Sequence, residues 1–341
     1  MDLLPTPEQD EIVATVRTQL EREFDLHRLA ALDGAASVVD DALWRRCAEL
    51  GWFGLGLQES LGGVGYTLVE EALLFAEIGS HATPGPFLPT VLAARLTALA
   101  GATELRDAIL AGEQRVALAE PHGDVDATAG ATVSGTFRVT DHGGADLVLV
   151  MVGDTASVVR ATDMVAEPMP SLDLLVPTAV GTVSGAPSVC HLDDASALRL
   201  RATVLVASEL AGITTATAQQ STQYAKDREQ FGQPVGAFQA VKHRCADMAV
   251  RAEAATSLTR YAALAVLDGL PDAAFHAEAA RAVAARNAVE NAQINVQNHG
   301  GIGFTWEHTA HRYVTRAQVR SRTIGTVRDA LGDLLEQPAP A

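Results

Sequence analysis

The 341-residue sequence is 48% hydrophobic and 20% charged, enough apolar material for a large core that needs no disulfide staples. Acidic residues outnumber basic ones 42 to 25, and the formal net charge of -17 excludes polyanions such as nucleic acid, and anionic membranes, as favoured partners. Cys47, Cys190 and Cys245 are far apart, with no CxxC pair and no Cys/His cluster at metal spacing, and no apolar run reaches membrane-spanning length. These features predict a cytoplasmic protein with no metal site and no membrane span.

Helices come first in chain order. Ile12, Val13, Val16 and Leu20 recur at helical steps within residues 8–24, as do Leu43, Trp44, Cys47 and Leu50 within residues 40–50. The following segment, GWFGLGLQESLGGVGY, carries Gly54, Gly56, Gly62 and Gly63, which preclude a regular helix and predict a tight, packed loop. A further helix is predicted over 67–79. From Val116 to Leu192 the texture changes to short β-branched runs separated by Gly, Asp and Pro clusters, the pattern of a β module. Long helices are then predicted over 196–226, 236–268 and 271–298, with GQPVG and DGLPD as breaks. Phe238, Val241, Cys245, Met248, Ala252, Ala255 and Leu258 form the seam of a helix bundle. The expected fold is mostly α with a central β module: a helical domain over 1–114, a β domain over 115–195 and a helix bundle over 196–341. The terminal QPAPA is expected to be a loose tail.

Two segments could carry chemistry. In KDREQFGQPVGAFQAVKHRCADM (226–248), Arg228, Gln230 and Phe231 finish one helix before Gly232 and Pro234 turn the chain. Arg228 there either caps the last carbonyls of its own helix or offers a phosphate two parallel charged hydrogen bonds. In QNHGGIGFTWEH (297–308), Gly300 and Gly301 let a ligand or backbone approach closely, and Gln297 supplies an amide beside the gap. A glycine stop between two helices explains the same residues. The segment is no GxGxxG fingerprint and follows no strand, so a Rossmann reading fails. WEH (306–308) reads as a helix start, His299 as a packed or solvent-facing side chain, and Trp44 and Trp52 as core or subunit contact.

Taken together, YAxxRxQFG…FQAxxHxxADM followed by QxxGGxGF resembles the C-terminal helical domain of the acyl-CoA dehydrogenases. AELGWFGLGLQESLGGVGY with VEEALLFAEIG, and VALAEPHGD at the entry to the β module, extend the resemblance over residues 40–326. It implies that FAD is the cofactor and an acyl-CoA thioester the substrate. A carboxylate removes the α proton while the β hydride passes to flavin. It also implies that Arg228, Gln230, Phe231, Gln297, Gly300 and Gly301 hold the adenosine diphosphate half of an FAD whose flavin sits largely in a neighbouring subunit.

The pattern breaks at the base. One family position precedes a Gly-Thr pair, and here RTIGTVRD puts Ile324 there; the other, at the start of the long helix, falls on Ala202. Neither accepts a proton, and adjacent Arg201 and Thr203 are not useful bases. No catalytic residue is therefore assigned, and Glu209, further along the same helix, reads as a packing residue. The β module lacks the tryptophan-bearing strand that supports the flavin in the family, and Glu120 and Pro121 read as a strand end and turn. These losses resemble the non-catalytic partner in heteromeric acyl-CoA dehydrogenases of actinobacteria. The resemblance implies a paralogous partner in an α2β2 assembly, with bulky acyl chains such as steroid side-chain thioesters as substrates. Two alternatives stay open. One is a homo-oligomeric flavoenzyme whose base is an unrecognised carboxylate (Glu209, Glu120 or Glu307). The other is a flavin-free scaffolding pseudoenzyme. A ferritin-like di-metal bundle is excluded by the lack of Glu-x-x-His pairs.

Overall fold

A computed structural model describes residues 3–123 and 127–337, so most of the terminal QPAPA and part of AEPHGDVDATAG lie outside the described residues. The helices are α1 (Pro7–Glu23), α2 (Leu26–Leu29), α3 (Asp41–Glu49), α4 (Leu68–Ser80), α5 (Phe87–Leu99) and α6 (Thr103–Leu110). Seven strands follow: β1 (Val116–Pro121), β2 (Thr132–Thr140), β3 (Leu147–Val152), β4 (Thr155–Arg160), β5 (Val165–Met169), β6 (Thr178–Pro187) and β7 (Cys190–Leu192). Then come α7 (Ser196–Asp227), a hairpin of β8 (Glu229–Gln230) and β9 (Gln233–Pro234), α8 (Gln239–Leu267), α9 (Ala273–His299), α10 (Ala310–Arg320) and α11 (Val327–Glu336). The helical, β, helical order is the predicted one. Among the described residues no helix is long and apolar enough to cross a membrane, and the three cysteines are free thiols.

The chain forms two compact units, the first comprising Met1–Ala30, Leu68–Thr83 and Thr203–Ala341, the second Ala31–Thr67 and Pro84–Ala202. In the second unit the sheet order is β5-β6-β2-β1-β3-β4-β7, antiparallel except for the β1–β3 pair. Phe137, Val139, Val148, Val150 and Val159 fill one buried cluster on it. Glu120 lies within β1, opposite Arg138 of β2, and their side chains form an ion pair at 2.8 Å. Trp44 is fully buried and packs against Phe53 and Phe87 at ring separations of 4.4 and 5.1 Å, so Trp44 and Trp52 are core. The glycine-rich loop is as tight as predicted: a Cβ on Gly63 would lie 2.1 Å from the Leu57 carbonyl oxygen.

In the first unit α1 begins with a capping box, Thr6 and Gln9 satisfying each other's backbone N–H, with Pro7 at the first helical position. Buried asparagines tie the bundle together. Asn291 Nδ2 donates to the Thr214 and Met248 carbonyls at 3.1 and 3.0 Å, joining α9 to α7 and α8. Asn295 exchanges hydrogen bonds with Gln220 and Ser221 at 2.9 and 2.8 Å. Leaving one such buried amide unpaired costs about 1–3 kcal/mol. The predicted α8 seam is buried at Met248, Ala252 and Ala255, whereas Phe238, Val241 and Cys245 near the hairpin are only half-buried.

Helices α4 and α7 cross closely because both carry a glycine at the crossing. A Cβ on Gly79 would lie 1.9 Å from the Glu209 carbonyl oxygen, and one on Gly212 would lie 1.9 Å from that of Ala76. Gly212→Ala is therefore expected to destabilise the chain by at least the ~1–3 kcal/mol typical of overpacking. Urea denaturation measures it, and an unchanged midpoint would contradict the crossing geometry.

Candidate functional site

The C-terminal ends of α7 and α9 lie together, with the Tyr224 ring 4.3 Å from the His299 ring and the His308 ring, tilted, 4.4 Å from His299. Arg228 follows immediately after α7, and Gly300 and Gly301 immediately after α9. The resemblance assigned both segments to one FAD; ring contacts of Tyr224 and His308 with His299, which the sequence did not reveal, bring the helix ends to one place.

Gln230 and Phe231 do not finish the helix as predicted. Helix α7 ends at Asp227, and Gln230 pairs with Gln233 across a two-residue turn whose central residues, Phe231 and Gly232, both have positive φ (55° and 79°). Positive φ at both centres is the geometry that matches the twist of a hairpin. For a bulky side chain it is an outlier, and it leaves Phe231 92% exposed. Arg228 is exposed too, and its guanidinium makes no hydrogen bond or ion pair among the described residues, so it does not cap its own helix. Exposed Ile302, Phe304 and Trp306 also follow α9. The predicted helix start at 306–308 is instead a turn, with α10 beginning at Ala310 after Thr309.

These groups fit an anionic dinucleotide. Gly300 adopts φ 65°, ψ -142°, a region closed to side chains, and a Cβ on it would meet nothing within 4 Å. Gly301 has no positive φ and equally open space around it, so nothing inside the chain demands glycine there. An exposed guanidinium, the exposed Gln297 amide and bare backbone suit a diphosphate, and exposed aromatic faces suit an adenine. Gln230 Nε2 is engaged locally, donating to the Glu229 carbonyl at 2.8 Å. Among the described residues no cluster of three or more His, Cys, Asp or Glu could hold a metal.

His299 is 5% exposed, and its Nδ1–H donates to the Asn295 carbonyl at 2.8 Å. Burial holds its pKa below the ordinary histidine value, the hydrogen bond offsetting this only in part; burial, then nearby His299, His27 and His311, depress His308. The unfolded chain therefore binds these protons more readily. The stabilising contribution is full above the unfolded pKa of about 6.5 and is lost as pH falls through the depressed folded values. Melting temperature is expected to drop on acidification from about pH 7 to 5, and less steeply in His299→Gln; identical slopes would exclude His299 as a source.

The two family positions for the base are closed. Ile324 is 6% exposed with φ 59°, an outlier for a β-branched residue, and Ala202 is fully buried. Arg281 of α9, itself 4% exposed, donates to the carbonyls of Ile324 and Thr326. Glu278 is the nearby carboxylate that sequence reading missed. It accepts from Thr203 at 3.3 Å and lies 3.3 Å from Arg281 Nε, an i,i+3 pairing on α9. Only that spacing was legible in the sequence. Glu209, 2% exposed, pairs with Arg320 Nε at 2.8 Å, as a packing residue should.

Residues 6–113 match the model of the acyl-CoA dehydrogenase N-terminal domain and residues 200–327 that of the acyl-CoA dehydrogenase C-terminal domain. The acyl-CoA dehydrogenase FadE34 of Mycobacterium tuberculosis is 37% identical over 278 residues, covering 79% of this chain; the match spans only 38% of FadE34. A chain of the ChsE4–ChsE5 complex from Mycobacterium tuberculosis superimposes with a TM-score of 0.88 at 26% identity, covering 99% of this chain and 100% of that one. A variant of the Tcur3481–Tcur3483 steroid ACAD gives 0.84 at 28% identity, covering 96% and 97%. The two domain matches and the fold thus define the class, a flavoprotein of the acyl-CoA dehydrogenase type. The chain belongs to the acyl-CoA dehydrogenase family, whose members are FAD-dependent oxidoreductases acting on the CH–CH bond of acyl-CoA.

Proposed function

We propose that the chain is one subunit of a heteromeric acyl-CoA dehydrogenase, with Arg228, Gln230, Phe231, Gln297, Gly300 and Gly301 holding FAD for a paralogous partner that carries the catalytic Glu. The observation that carries this reading is the pairing of an unengaged, exposed Arg228 with base positions sealed by buried Ile324 and Ala202. A flavin bound there would supply hydride acceptance from the β carbon of the acyl group. The chain's own part is to hold the diphosphate with Arg228 and the bare Gly300–Gly301 backbone, and to offer Phe231 as an aromatic face. An α2β2 assembly in the cytoplasm, acting on bulky acyl thioesters of the steroid side-chain type, completes the proposal. Its support is that the similar structures include a two-protein complex and a steroid ACAD. The three segments 1–114, 115–195 and 196–341 are its proposed domains.

Homo-oligomeric catalysis would need a base of this chain's own. Glu209 and Glu120 are in ion pairs and Glu278 faces Arg281, which leaves exposed Glu307 of the sequence candidates. The test is co-expression with Glu-bearing paralogues, followed by native mass and flavin count. One FAD per two chains, with turnover only in the mixed complex, is the expected result. Full turnover by this chain alone would sink the proposal.

A further inference from the structure

A half-open cavity of about 370 Å³ lies in the first unit, among α1, α4, α7 and α8. Each helix turns a stripe at steps of three and four residues towards it, as Thr256, Thr259, Arg260 and Ala263 do on α8. The close glycine crossing fixes α4 against α7, and the stripes are rich in alanine, serine and threonine. Small side chains on four converging helices leave space that larger ones would fill. Interiors otherwise pack to crystal density with few voids larger than a water molecule, and a volume of this size is in the range of small-molecule sites. None of the six residues assigned to FAD lines it.

Most of its polar groups are satisfied within the chain, as Ser80, Ser208 and Thr215 are by backbone carbonyls. Arg17 of α1 and Glu77 of α4 neutralise each other through two hydrogen bonds at 3.1 and 2.8 Å, and Asp10 is exposed. Thr259 is only 4% exposed, yet its buried Oγ1 has no hydrogen-bond partner among the described residues. That oxygen is closed off from the cavity by its neighbours, so the hydroxyl is not a ligand contact. One residue on, the half-buried Arg260 makes no hydrogen bond or ion pair among the described residues.

We propose that this cavity binds an amphipathic carboxylate, a free fatty or alicyclic acid. Arg260 takes the carboxylate, and the small apolar walls around Ala76, Ala211 and Ala263 take the hydrocarbon. The site is independent of the subunit role proposed above and is tested without flavin.

The experiment is calorimetric titration of the full chain with decanoate, decanol and decanoyl-CoA. Decanoate is expected to bind, and Arg260→Gln to weaken it by about tenfold or more, the effect of one charged hydrogen bond, while decanol is unaffected. Ala76→Leu fills the cavity. It should leave the melting temperature unchanged or higher and remove decanoate binding, which separates occupancy from misfolding. No binding of decanoate to the folded wild-type chain, or equal affinity in Arg260→Gln, overturns the proposal. Tighter binding of decanoyl-CoA that ignores Arg260→Gln overturns the assignment to a free acid.

Discussion

Arg228→Ala is expected to strip FAD from the mixed complex while leaving the chain folded and the subunits associated. The guanidinium is exposed and engages no other described side chain, so its removal leaves no buried partner stranded. Against a phosphate it can form two parallel charge-assisted hydrogen bonds, each contributing about 1.5–3 kcal/mol. Losing both weakens FAD by roughly a hundredfold to ten-thousandfold. Arg228→Lys keeps the charge without the fork and should fall between wild type and Ala. Arg328→Ala, an exposed arginine on α11, is the control for charge alone. Flavin absorbance per complex after gel filtration reads the outcome. Unchanged flavin content in Arg228→Ala would turn the reading to a scaffolding role.

Glu209→Ala is expected to cost stability on the scale of a broken buried ion pair, about 3–5 kcal/mol. Side-chain exposures of 2% for Glu209 and 5% for Arg320 leave no water to take over the lost contact. The same substitution tests one carboxylate of the homo-oligomeric alternative. A structural Glu209 gives a lower urea midpoint with turnover retained in the folded mixed complex. A catalytic Glu209 gives lost turnover with the midpoint preserved.

Helix and strand content was legible because periodicity and composition are local properties. The expected helix over 8–24 is α1 at Pro7–Glu23, and the β texture from Val116 to Leu192 spans β1 to β7. The motif around Arg228 was legible as well, but its shape was not. Phe231 with positive φ contradicts its own steric preference, so no local rule would place it at the centre of a hairpin turn.

Long-range pairing escaped the sequence altogether. Glu209 and Arg320 are 111 residues apart, and nothing in either neighbourhood announces the other. The cavity escaped for a related reason. Small side chains such as Ala14, Ala76, Ala211 and Ala263 read as close packing, and whether they touch or leave space depends on the distances between helix axes.

The sequence by itself determined the order of helical and β segments, the residues proposed to hold the dinucleotide and the absence of a carboxylate at Ile324 and Ala202, because each is written in residue identity and spacing. Only the tertiary structure decided that Tyr224 and His299 bring the two helix ends together, that Glu209 and Glu278 face arginines, and that Arg260 lines a cavity among four helices. Those depend on contacts between segments distant in the chain, which packing creates and local composition does not encode.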